Sequence, residues 1–147
     1  MTSLAKFFDK NVYNKINREV NFNDPKYRGK IVGLYFSAHW CPPCRAFTPK
    51  LVEFYRTHAK EKNFEIIYIS SDQDERQYEE YYKEMPWLRF DFRQQRKRDK
   101  LMKVFKVSGI PQLILFDGDT GNILCTNAME QIQYRDKKGE LFPWKQH

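Results

Sequence analysis

The chain has 147 residues, 41% of them hydrophobic and 16% aromatic, enough for one packed core that hides about two-thirds of the surface its unfolded form exposes. With 31% charged residues, six glycines and no apolar run near the ~20 residues of a bilayer span, low-complexity and membrane classes are excluded, and residues 1–147 read as one domain. A net charge of +7 leaves room for nucleic-acid binding, though its distribution matters more than its total and makes such binding unexpected, while three cysteines do not make the even-numbered framework of a small secreted scaffold.

Met1 to Lys10 has neither a sustained apolar stretch nor a small-residue cleavage pattern, so it does not read as a signal peptide. A reducing compartment is expected, the cytoplasm first and the nucleus second. Leu4, Phe8, Val12 and Ile16 stand four apart and predict a surface helix over Ser3 to Ile16. Glu19 to Phe22 alternates weakly, as an edge strand would, before the turn signals Asp24-Pro25 and Arg28-Gly29. Lys30 to Ser37 is almost unbroken apolar sequence of strand length, the pattern of a strand covered on both faces. Phe47, Leu51, Phe54, Tyr55 and His58 then recur at helical spacing, predicting a helix from Pro42 to about Lys60 that Pro49 should bend.

Phe64 to Ser70 is a second apolar strand, joined to the first through that helix and therefore expected to run parallel to it. Asp74 to Glu84 predicts a short acidic helix with Tyr78, Tyr81 and Tyr82 turned to the core. Arg93 to Lys106 is the densest basic block, but Leu101, Met102 and Phe105 interrupt it at helical spacing. A solvated face of an amphipathic helix explains it more simply than an import signal or a patch for an acidic partner. Gln112 to Phe116 and Asn122 to Thr126, separated by Asp117-Gly118-Asp119-Thr120-Gly121, predict a β-hairpin, and a helical stretch of uncertain limits ends the chain.

The chemistry concentrates in Trp40-Cys41-Pro42-Pro43-Cys44-Arg45, where the first buried strand hands over to the helix. Pro42 suits the first helical position, which places Cys41 at the N-cap and Cys44 in the first turn. Thiols at helix N-termini face the positive end of the macrodipole, and cysteine pKa values in such places fall from about 8.5 into roughly 3.5–7.5. Cys41 is thus expected to be the nucleophile, with the backbone N–H groups of Cys44 and Arg45 and the Arg45 guanidinium as its nearest donors. Cys44, one turn deeper, is the shielded resolving thiol. Closing so short a loop removes only about 2 kcal/mol of unfolded-chain entropy, so the pair suits reversible chemistry better than stapling.

These residues resemble the thioredoxin superfamily, within it the tryparedoxin and nucleoredoxin branch. The resemblance rests on Trp-Cys-Pro-Pro-Cys-Arg after Tyr35-Phe36-Ser37-Ala38, on Pro49, on Met85-Pro86-Trp87-Leu88, on Gly109-Ile110-Pro111 and on Phe142-Pro143-Trp144. It implies an α/β thioredoxin fold: a central mixed sheet flanked by helices on both faces, with an N-terminal extension. It also implies that Pro111 is a cis proline facing the cysteines and that Ile110 offers its backbone to a bound substrate. Tyr35 stands where thioredoxins usually bury an aspartate, and a phenol, with a reference pKa near 10, is a poorer base near neutrality.

Trp40 is either core or a lid over Cys41, and its place beside a reactive sulfur favours the lid. His39 titrates in a useful range as histidines do, though a surface histidine without a role explains it equally. Cys125 is most simply a small buried hydrophobe. No metal is expected, because neither a second C-x-x-C nor an H-x₃₋₅-H pair accompanies the cysteines.

The expected activity is thiol-disulfide exchange on disulfide-containing protein substrates, with no bound cofactor, by a monomer. Electrons would come from an upstream dithiol or an NADPH-dependent reductase. The competing class is a redox-regulated binding module of nucleoredoxin type with little turnover. Tryparedoxins typically carry Trp-Asp-Glu where this chain has Ser71-Asp72-Gln73, and a late basic residue where it has Glu130. The resemblance therefore implies no special preference for the dithiol trypanothione, although Asp72 could still attract a polyamine.

Overall fold

The computed structural model describes residues 2–8 and 10–145. Its elements are α1 (Ser3–Phe8), β1 (Val12–Tyr13), β2 (Ile31–Ser37), α2 (Pro42–His58), β3 (Phe64–Ser70), α3 (Glu75–Tyr82), β4 (Leu88–Phe90), α4 (Gln95–Val104), β5 (Gln112–Asp117), β6 (Ile123–Cys125) and α5 (Ala128–Glu130). Alpha5 runs on into a wider π-type turn over Gln131–Arg135.

The strands form one six-stranded sheet in the order β1-β4-β3-β2-β5-β6. Beta2 lies inside it, parallel to β3 from Ile31 opposite Phe64 to Ser37 opposite Ser70, and antiparallel to β5. The β2-α2-β3 crossover is the unit expected from the two apolar runs. Because β2 is covered on both faces, its alternating side chains enter two cores. Val32, Leu34 and Phe36 pack with Leu4 and Phe8 of α1 and Leu101 of α4. Tyr35 packs on the opposite face with Phe47, Leu51 and Phe54 of α2 and Tyr78, Tyr81 and Tyr82 of α3. Two covered faces explain why the strand has no polar alternation.

The N-terminal segment departs from expectation. Alpha1 stops at Phe8, Val12 enters the edge strand β1, and Ile16 is 69% exposed. The backbone explains the break: Lys10 and Asn17 have positive φ, and the Asn14 side chain accepts the N–H groups of Ile16 and Arg18, competing with helical hydrogen bonds. Alpha1 is also less superficial than a surface helix, since Leu4, Ala5 and Phe8 are buried. Glu19 to Phe22 forms no strand. It contributes one bridge from Glu19 to Tyr13 and a Val20 N–H to Val12 carbonyl bond of 2.8 Å, then turns where Asn21 Oδ1 accepts the Asn23 N–H. Beta4 is too short, at three residues, to show a sequence period. In α4 only Leu101 is fully buried, and the basic side chains are exposed or half-exposed; Arg98 donates to the Ser70 carbonyl at 3.1 Å.

Phe8 is fully buried, with its ring centroid 6.2–6.4 Å from those of Phe22, Phe90 and Phe116. Phe8→Ala should therefore lower unfolding free energy by about 3–5 kcal/mol in urea titration. A loss under about 1 kcal/mol would show that α1 is an appendage and not part of the core.

Candidate active site

Beta2 ends at Ser37, and four residues later Cys41 begins α2 as its N-cap, with φ −98° and ψ 110°, followed by Pro42 at the first helical position. Proline is tolerated there because the N–H it lacks would have no partner within the helix. Cys44 follows in the first turn. Burial distinguishes the sulfurs: Cys41 keeps 5% of its surface exposed and Cys44 none, while Pro42, Pro43 and Arg45 form an exposed rim. Both thiols are free.

The Cys41 thiol lies 4.0 Å from the Ile110 carbonyl oxygen, and Ile110 packs against Ala38, Cys41 and Cys44. The Ile110-Pro111 peptide bond is cis, as the resemblance implied. It faces the cysteines from the loop leading into β5. The Trp40 indole is 48% exposed and donates through Nε1 to the Ser71 carbonyl at 2.8 Å, which excludes the core reading.

The donors expected around Cys41 are arranged differently. Its side chain makes no capping hydrogen bond, and the Arg45 N–H is taken by the Cys41 carbonyl at 3.1 Å, the ordinary helical bond. The Arg45 side chain is exposed. What surrounds the pair is a set of groups around Cys44. Burial pushes the Cys44 thiol up to about 12, and its hydrogen bond to Cys41 adds to the rise. The Ser37 hydroxyl and the Ala38 backbone pull the other way. Cys44 is therefore a protonated donor facing Cys41.

Tyr35 is fully buried, and its hydroxyl pairs with Thr48 Oγ1 at 2.7 Å and donates to the Cys44 carbonyl at 3.4 Å. It touches the backbone of Cys44 and not its sulfur. Burial drives this phenol far above the ordinary tyrosine range, so Tyr35 is no base.

Asp72 corrects a second expectation. Only 5% exposed, its carboxylate accepts the His39 N–H at 2.6 Å, the Tyr68 hydroxyl at 2.5 Å and the Ser70 hydroxyl at 2.6 Å. A carboxylate so engaged offers nothing to a polyamine and serves instead to tie the His39-Trp40 segment to the end of β3. Glu130 is ion-paired with Arg135 at 3.1 Å. Cys125 is fully buried on β6 with its thiol on Asn127 Oδ1, as a small hydrophobe would sit. Sequence reasoning missed Ser37, Thr48 and Tyr81 as site groups and gave Asp72 another role. They are ordinary hydroxyls and one acid dispersed between position 37 and position 81, with no motif to mark them.

A cysteine pair at a strand-to-helix junction, facing a cis proline beside a mixed sheet, defines a class, and comparison agrees. The model of the thioredoxin-like family matches residues 29–123, and the chain belongs to that family. It is 43% identical over 144 residues to the tryparedoxin of Trypanosoma brucei brucei, covering 98% of this chain and 99% of the relative. Over 106 residues it is 53% identical to probable nucleoredoxin 1 of Arabidopsis thaliana, which covers 71% of this chain but 18% of that longer protein. The solved structure of tryparedoxin II complexed with glutathionylspermidine matches with a TM-score of 0.91 and 39% identity, over 97% of this chain and 99% of that one. The protein is a tryparedoxin-like thiol-disulfide oxidoreductase whose active pair is Cys41 and Cys44.

Removing the Asp72 carboxylate would strand three buried or half-buried donors. Asp72→Ala should cost about 2–4 kcal/mol in denaturant unfolding and leave the Trp40 indole more mobile, read as lower fluorescence anisotropy. Unchanged stability together with unchanged anisotropy would contradict the anchoring role.

Proposed function

We propose that this chain reduces protein disulfides by dithiol-disulfide exchange, with Cys41 as nucleophile and Cys44 as resolving thiol. The observation that carries the assignment is placement: Cys41 is the N-cap, 5% exposed and lying against the cis-proline loop, and Cys44 is fully enclosed one turn deeper. Cys41 thiolate attacks one sulfur of the substrate disulfide, and the other leaves as a thiolate that takes up a proton. Cys44 then attacks Cys41, releasing the second substrate thiol and leaving a Cys41-Cys44 disulfide, so that two electrons pass to the substrate.

Trp40, Ile110 and Pro111 frame the substrate chain. Pro42 and Pro43 shape the rim, Arg45 lends a positive charge to it, and Tyr35 braces the first turn of α2. The chain works as a single monomeric domain in the cytoplasm, with the nucleus as a second location. Among the described residues no helix is long and apolar enough to cross a membrane. The electron donor is a small dithiol or an NADPH-dependent reductase. Since Ser71 and Gln73 replace the aromatic and acidic neighbours expected of a tryparedoxin, and Asp72 is turned inward, we infer no special preference for trypanothione. The likeness to nucleoredoxins favours a second reading, a redox-controlled binding module, which would stall after one exchange with a supplied dithiol present.

Cys44→Ser should accumulate mixed disulfides with partner proteins, visible by non-reducing electrophoresis and peptide mass, and Cys41→Ser should accumulate none. The reverse pattern would overturn the assignment. At equal concentrations, trypanothione should support turnover no better than dithiothreitol; a large trypanothione advantage would contradict the donor reading.

A further inference from the structure

The basic block Arg93 to Lys106 takes no part in the thiol chemistry, and the fold sets an apolar groove beside it. The groove, of about 490 Å³, lies between α1 and α4. Phe90 and Leu101, 2% and 6% exposed, make its floor, and Phe7 at 41% and Val104 at 49% stand as its walls. Its volume falls among those of pockets that seat ligands, roughly 300–1,000 Å³. A solvated helix face accounts for exposed lysines. It does not account for two large apolar side chains, one on each helix, left open to water in the same groove.

The charge around the groove has one sign. Lys6 on α1 and Lys97 and Lys100 on α4 rim it, all three exposed, and no carboxylate stands among the described residues that line it. Lys97 Nζ lies 3.4 Å from Asn11 Oδ1, a neutral partner, and the one acid of α4, Asp99, is ion-paired with Arg98 at 3.0 Å. Lys97, Lys100 and Lys103 recur every three residues, about 4.5 Å apart along the helix axis. The positive charge therefore runs along α4 and does not converge on one point. A lone carboxylate or phosphate would meet one of these cations, whereas a chain bearing several acids would meet them together. A bilayer calls for apolar side chains that protrude, and these line a depression. Single-stranded nucleic acid calls for open aromatic faces on which bases stack, and of the two aromatic residues lining the groove only Phe7 is open.

We propose that the groove between α1 and α4 is a docking site for an acidic segment of a partner protein. The segment seats a side chain of leucine or phenylalanine size between Phe7 and Val104 and lays aspartates and glutamates along Lys6, Lys97 and Lys100. Apolar burial in the groove supplies the affinity, and the charges select the partner and speed its encounter. None of the lining residues belongs to the thiol site. Docking is thus separable from disulfide exchange, and it applies equally to a partner that is reduced and to one that is only held. Exposed rim charges are screened by salt, so binding should weaken as ionic strength rises.

The test selects binders to the reduced full chain from a phage-displayed library of random cysteine-free peptides and measures the enriched peptides by fluorescence anisotropy. Enriched sequences should carry a bulky apolar residue flanked by aspartates and glutamates. Lys97→Glu combined with Lys100→Glu should weaken their binding about tenfold or more. Lys137→Glu combined with Lys138→Glu makes the same change in net charge at exposed lysines outside the groove, and should leave binding within about twofold. Val104→Lys adds a cation but removes an apolar wall, and should weaken binding about fivefold. In nitrogen-15-labelled protein, the amide shifts on peptide binding should centre on Phe7, Lys97, Lys100 and Val104. The proposal is overturned by an absence of enrichment, by shifts centred elsewhere, or by an equal loss in the control pair. Unchanged or tighter binding by Val104→Lys would show a purely electrostatic surface and overturn it too. So would tighter binding of phosphatidylserine vesicles or of an oligothymidine strand than of the selected peptides.

Discussion

The enclosure of Cys44 beneath the first turn of α2 is the constraint on which the rest depends. One helical turn separates two thiols of the same chemistry, and the fold makes them different by setting Cys41 at the N-cap, against the cis-proline loop, and enclosing Cys44 completely. Ala38, just past the end of β2, packs against Cys44, and the Tyr35 and Thr48 hydroxyls donate to the Cys44 carbonyl. Burial makes ionising Cys44 costly, so it stays a neutral donor toward Cys41 until substrate occupies the latter. The N-cap position of Cys41, the cis-proline loop across from it and the tethered Trp40 matter functionally because the deeper sulfur waits behind them.

The tether itself is a structural use of a charge. Asp72 collects donors from His39, Tyr68 and Ser70 and so connects the end of β3 to the segment carrying Trp40 and Cys41. The same residue, read from sequence, looks like a ligand for a cationic substrate. Its burial and its three donors turn it inward, away from that role. The full-length likeness is to tryparedoxins, and the higher identity over a shorter span is to a segment of a nucleoredoxin.

How far the sequence can be read follows from the range of each interaction. Beta2, α2 and β3 are legible because their periodic apolar residues face cores that cover them completely, and the ends of β3 agree residue for residue. The cysteine pair is legible because its spacing carries the chemistry. The N-terminal helix is misread beyond Phe8 because a spacing of four residues at Val12 and Ile16 is coincidental; asparagine side chains and positive-φ positions interrupt it, and apolar periodicity takes no account of them. Beta4 has too few residues to show a period and exists because β3 and β1 flank it. The buried hydroxyl cluster of Ser37, Thr48 and Tyr81 is invisible for a different reason: these residues become neighbours only through tertiary packing, and a single sequence holds no record of that.

The central claim is that enclosure keeps Cys44 a protonated thiol, and it is tested most directly by following the Cβ carbon of Cys44 by NMR in protein labelled with carbon-13 at cysteine. The account predicts that this signal keeps its thiol value from pH 6 to about pH 10 and moves only toward pH 12, where burial has pushed its titration. A titration step for Cys44 near the ordinary thiol value of about 8.5 would contradict it.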